Sequence, residues 1–219
     1  MSEDSNIELR NNIIFFLIII IVISLFFLQR YSKEKQKVNF DSIGKIHYIN
    51  ENDAKKIIKD RAEITIRALK FKNFSALNQL IHPKKGLRLS PYSYIIAKDI
   101  IIKQNEIFSL YEDENIKIEN MDRERRLVSQ SFKEYYQNYI YPHDYANYDK
   151  ISFNNPYKSE NVIDNIREYY PKAILVEFQL NDTNPNNLEK DWSVLRLAYE
   201  EYKDEWYLVG IVNITGINK

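Results

Sequence analysis

The hydrophobic pattern of this chain takes three successive forms. Its first form is an unbroken run, IIFFLIIIIVISLFFL from Ile13 to Leu28, with Ser24 as the one polar member. At about 1.5 Å per residue such a helix reaches about 24 Å, and Asn11, Asn12 and Gln29 extend it toward the ~30 Å hydrocarbon core. The run predicts a transmembrane helix over 13–29, embedded in the lipid bilayer through Ile13 to Leu28. The exit reads FFLQRYSKEK with no small-residue cleavage site, so the expectation is an uncleaved anchor rather than a signal peptide.

The second form has helical spacing. After a charged juxtamembrane linker over 30–50, Ala54, Ile57, Ile58, Ala62, Thr65, Ala68 and Leu69 recur at the period of a helix that starts near Asn52 or Asp53. A short helix over 76–81 should stop at His82, because Pro83 disfavours helical backbone before it. A further helix is predicted over 126–141 and a short one over 162–169. The third form is alternation. Ile174, Val176, Phe178 and Leu180 share one side of a strand and Glu177 and Gln179 the other, so one face should be buried. Trp192 to Tyr202 and Trp206 to Ile214, separated by KDE, should pair as a hairpin, and shorter strands are expected at 92–97, 99–103 and 116–118. Long strands without strand–helix alternation predict an α+β domain over 51–219, with helices packed on one face of a curved antiparallel sheet.

Charge and composition narrow the function classes. The 31 basic and 31 acidic residues cancel, which leaves no electrostatic footprint for nucleic acid. Zero cysteines remove disulfides, thiolate metal sites and a cysteine nucleophile. No G-x-S-x-G, P-loop or G-x-G-x-x-G is present, and no cofactor, metal or catalytic residue is assigned. Around the apolar run, Arg10 precedes while Arg30, Lys33, Lys35 and Lys37 follow, a count that favours a cytoplasmic C-terminal part.

The reactive residue types concentrate in IHPKKGLRLSPY at 81–92, which ends on Tyr92. His82 as a base and Arg88 as an anion clamp make one reading. A chain reversal makes the other, with His82-Pro83 stopping a helix, Gly86 permitting positive φ and Pro91 starting an edge strand, and it explains more of the residues. His143-Asp144 lies past a helix end, with no recognisable ligand spacing to His82. Arg196, with Trp192 and Trp206, either lines a cavity or fills it. The candidate contacts are therefore His82, Arg88, Tyr92, His143, Asp144 and Arg196.

The closing segment DWSVLRLAYEEYKDEWYLVGI resembles the last hairpin of nuclear transport factor 2-like domains, cone-shaped α+β folds with helices along a bent sheet. Together, IHPKKGLRLSPYSYI, YYQNYIYPHDY and NVIDNIREYYPKAILVEF are similar, in that order and spacing, to a group of bacterial cell-surface proteins, many anchored by a lipidated cysteine. The likeness runs from about residue 55 to the end and departs at the start, where an apolar run replaces the lipid. It implies an extracytoplasmic domain, against the lysine and arginine count, and carries over no catalytic residue. The expected function is a membrane-anchored binding or interaction module of the cell envelope. The alternative is a hydrolase or other enzyme using a pocket in the cone. The expected partner is another envelope protein or a cell-wall polymer.

Overall fold

The structure is a computed structural model and describes residues 49–121, 126–157, 162–181 and 190–218. The first helix, α1 (Glu51–Lys70), starts on Asn50, whose side-chain oxygen accepts from the Asp53 amide at 3.0 Å. Its inner face carries Ala54, Ile58, Ala62, Ile66 and Leu69, all 2% exposed or less. Ile57, expected on that face, is instead 44% exposed. After α2 (Phe74–Leu80) the chain enters a sheet built from β1 (Leu87–Ser90), β2 (Ile100–Ile102), β5 (Lys150–Phe153), β6 (Ile174–Asn181), β7 (Lys190–Tyr202) and β8 (Glu205–Asn218), in the order β2-β1-β8-β7-β6-β5.

Two expectations about fold class are corrected here. The sheet is mixed, because β1 runs parallel to β8 with Leu89 opposite Ile211. The cause lies in the opening turn: the His82 amide donates to the Leu208 carbonyl at 3.0 Å, and Ile81 bridges Leu208 in parallel, so the chain is already travelling beside β8 before LRLS begins. Helices are few and short apart from α1. The expected transmembrane helix is also corrected. No helix among the described residues is long and apolar enough to cross a membrane, and residues 13–29 lie outside them.

Local chemistry explains the other departures. The helix expected over 126–141 begins with a strand, β4 (Leu127–Ser131), paired with β3 (Lys117–Met121). Ser131 and Glu134 form a capping box: the Glu134 amide donates to Ser131 Oγ and the Ser131 amide to Glu134 Oε2 at 2.8 Å. Helical structure therefore starts only at Phe132 and passes into a π-turn over Tyr136–Ile140. No strand forms at 92–97, because Asp99 binds the Ile96 amide and Asn165 binds both the amide and the carbonyl of Ile95. The remaining helices are α3 (Ile107–Glu112) and α5 (Ile166–Tyr169), with the single turn Phe132–Tyr135 between them in sequence as α4.

Both faces of the sheet are covered. The first packs Phe178, Leu195, Leu197 and Tyr199 under α1, α2 and α4. On the second, Leu175, Val194, Ala198, Val209 and Val212 lie under Ile95, Ile166 and Tyr170, which belong to loops and α5. Each such aliphatic or aromatic side chain contributes roughly 1.5–3 kcal/mol on burial. A register shift at Ala198/Tyr199, where Val209 of β8 is skipped, interrupts the β7–β8 ladder. Because the second face is covered, Glu177 and Gln179 of β6 and Arg196 of β7 face an interior rather than solvent.

Candidate functional site

That second interior holds a charge. Arg196 stands on β7 opposite Glu177 of β6 and is 0% exposed. Its Nε donates to Glu177 Oε1 at 2.5 Å and its Nη1 to Asp164 Oδ2 at 2.5 Å. Glu177 is 1% exposed, and its other oxygen accepts from the Tyr157 amide at 2.5 Å. A buried carboxylate needs this many partners, since desolvation of an unpaired charge costs several kcal/mol. The alternation that places Val194, Arg196 and Ala198 on one side of β7 and Leu175 and Glu177 on one side of β6 forces these charges inward together.

Two partners of the pair, Asp164 and Tyr157, also line a cleft of about 350 Å³ together with Val162, Asn165, Arg167 and Glu168, among others. Its walls are pinned. Arg167 Nη1 donates to the Ala173 carbonyl at 2.7 Å and its Nη2 to Asn154 at 3.1 Å, while Asn165 clamps Ile95. The Tyr157 ring lies 4.7 Å from that of Trp192, itself 5% exposed. Tyr94 is 53%, Ile96 38% and Ile163 73% exposed; Tyr94 and Ile96 flank Ile95, which Asn165 of the cleft wall holds, and Ile163 precedes Asn165 by two positions.

The other sequence candidates are not brought to this cleft. His82 is 3% exposed, and its Nδ1 accepts from the amides of Lys84 and Lys85 at 3.1 and 3.0 Å, so it fastens the turn that Gly86 closes at φ 72°. Its ring rests on Tyr202 and Tyr207. Arg88 donates to the Ile96 carbonyl at 3.1 Å and lies over the Tyr169 ring at 5.3 Å. Beside it, burial pushes the Asp99 carboxyl above its ordinary range despite a hydrogen bond from Ser90. Tyr92 meets Tyr139 edge-on at 6.0 Å. Asp144 accepts from Lys70 at 2.7 Å and from Tyr141 at 3.0 Å, and the Lys70 contact holds its carboxyl below the ordinary range. His143 packs against Tyr145 and feels Asp191 at the start of β7, whereas His82 touches Tyr202 at its end. The two histidines are thus separated by nearly the length of β7, roughly 30–40 Å at 3.3 Å per residue. Among the described residues no group of three or more His, Asp or Glu is placed to hold a metal ion.

Residue-type reasoning passed over Glu177, Asp164 and Tyr157. A usable signal was present, because a lone arginine inside SVLRLAY and a lone glutamate inside ILVEFQL are opposite charges in two otherwise apolar strands.

His82 gives a pH test. Burial, then the Lys85 charge, lower its pKa from the ordinary 6.5. A histidine whose folded pKa is depressed binds fewer protons folded than unfolded below 6.5, so its stabilising contribution is complete above 6.5 and is lost as pH falls toward the folded value. The wild-type urea midpoint should therefore drop between pH 7 and pH 5 more steeply than that of His82→Asn, whose side-chain oxygen still accepts from the turn amides. His82→Ala should be less stable than His82→Asn by about 1–3 kcal/mol at pH 7. Equal pH slopes for wild type and His82→Asn would contradict this role.

No family model, no curated protein and no solved structure matches the chain.

Proposed function

We propose that this chain is a binding or interaction module of the cell envelope, with the cleft walled by Asp164 and Asn165 and the exposed apolar residues Tyr94, Ile96 and Ile163 as the contact surface. The observation that carries this reading is a walled cleft whose Asn165 clamps Ile95, the residue between exposed Tyr94 and Ile96, with exposed Ile163 two positions before Asn165, since concave sites with exposed apolar side chains near them mark contact surfaces. Catalysis has less support. A reaction needs a base and an activated partner within reach of one another, and His82 and His143 stand at opposite ends of β7 with His82 Nδ1 occupied. The compartment rests on the resemblance to bacterial cell-surface proteins alone. Protease added to intact cells should remove a tag placed after Lys219, and protection until lysis would contradict that compartment.

Substitution separates binding from catalysis. Ile163→Asp, at a 73% exposed position, should change stability by less than about 0.5 kcal/mol. After formaldehyde treatment of cells, discrete adducts of the chain should survive His143→Ala and disappear with Ile163→Asp. Adducts indifferent to Ile163→Asp, or absent from the wild type, would overturn the assignment of this surface.

A further inference from the structure

Helix α1 leaves one edge uncovered. Ile57, Ile64 and Phe71, at 44%, 53% and 73% exposure, follow one another at seven-residue intervals. At about 100° per residue such a stripe drifts by only about 20° per interval, so the three side chains form one line about 21 Å long. The Phe71 amide still donates to the Arg67 carbonyl at 3.0 Å, which keeps Phe71 in helical register at the cap. The inward face is already complete with Ala54, Ile58, Ala62, Ile66 and Leu69, so packing within the domain does not account for the stripe.

The charges beside the stripe select its occupant. Asp60 and Arg67 stand roughly 40° and 60° from Ile64 on the same flank, and both are exposed. Neither forms an ion pair among the described residues. On the other flank Arg61 turns back to the body, its Nη2 donating to Glu205 at 2.7 Å. When two such helices run antiparallel about a two-fold axis at Ile64, residues equally far before and after Ile64 share a level. Ile57 then meets Phe71 of the second copy, and Asp60 comes within about 1.5 Å, along the axis, of the level of that copy's Arg67, on the same side of the seam. The two-fold repeats each contact, so one stripe supplies three apolar pairs and two ion pairs. Parallel pairing would instead set Asp60 against Asp60 and Arg67 against Arg67. The edge thus complements itself in one orientation only. Lys56 and Lys70, farther from the seam, are already paired with Asp53 and Asp144, and Lys59 with Glu63 lies away from it.

We propose that two copies of this chain pair antiparallel through this edge of α1, with Ile64 on the two-fold axis. One helix edge is small beside the roughly 1,200–2,000 Å² of stable interfaces, so the pair is reversible.

The sequence has no cysteine, so introduced ones are read without background. In the full-length protein under mild oxidation, Ile64→Cys should give a disulfide-linked species of twice the chain mass on a non-reducing gel, because helix axes about 8–10 Å apart bring residues on the two-fold within disulfide reach. Ile57→Cys alone and Phe71→Cys alone should not link, since each stands about 21 Å from its own copy, whereas the two variants co-expressed should link to each other. In the Ile64→Cys background, Asp60→Arg should lower the linked fraction severalfold and the further change Arg67→Asp should restore it. A link from Ile57→Cys alone, no link from Ile64→Cys, or a linked fraction indifferent to Asp60→Arg, with the urea midpoint unchanged, would overturn the pairing. The self-pair has twice the chain's mass and is thereby told apart from the adducts that depend on Ile163, which bear on the cleft surface alone.

Discussion

Arg196→Ala should destabilise the fold by about 3–5 kcal/mol, a large share of the roughly 5–15 kcal/mol that keeps a domain of this size folded. The substitution leaves Glu177 1% exposed with no cation and Asp164 without its partner, and it opens a void where the largest fully buried side chain stood. The magnitude comes from the stranded carboxylate rather than from the ion pair itself. Replacing both partners, as Arg196→Met with Glu177→Leu, should therefore recover most of the loss, because a well-packed apolar pair of similar volume is often as stable as the ion pair it replaces. Urea unfolding of the wild type, the single variant and the double variant measures both terms. A double variant as unstable as Arg196→Ala would mean that packing, not charge, holds this face.

Phe178→Ala should cost a comparable 3–5 kcal/mol for a different reason. Phe178 is 0% exposed on the opposite face of β6 from Glu177 and meets Tyr148 edge-on at 5.2 Å. Truncation removes a ring from the layer beneath α1 and leaves a cavity that sheet and helix cannot both close. Leu127→Ala, at a 62% exposed position of β4, serves as the matched control and should change stability by less than about 0.5 kcal/mol. The urea midpoints of the two variants check this, and a small loss at Phe178 would contradict the assigned layer.

The terminal hairpin was legible because alternation alone determines it. Trp192 to Tyr202 and Trp206 to Ile214 pair as the pattern requires, although Lys203 and Asp204, at φ 54° and 64°, make the turn without glycine. The same alternation misled at β6, where Glu177 and Gln179 suggested a solvated side. A charge reads as exposed until its partner is known, and that partner is Arg196 on the neighbouring strand. The parallel entry of β1 was hidden because it depends on one long-range bond, from the His82 amide to Leu208. The stretch 81–92 did divide as its prolines and glycine imply, with a turn fastened by His82. Its second half, LRLS, is a strand that ends at Ser90, just where the expected edge strand was to begin. The helix expected over 126–141 rested on apolar spacing alone, and the capping box of Ser131 and Glu134 starts it only at Phe132. The cleft was least legible, since Asp164 in its wall is fixed by Arg196 on a strand more than thirty residues away.

The most direct test of the binding surface is site-specific photocrosslinking in living cells. A photoreactive residue at Ile163, exposed and next in sequence to Val162 and Asp164 of the cleft wall, should give one discrete adduct. The same residue at Lys59, on the outer face of α1, should give none. Equal adducts from both positions, or none from Ile163, would contradict the claim that this surface is where the protein meets its partner.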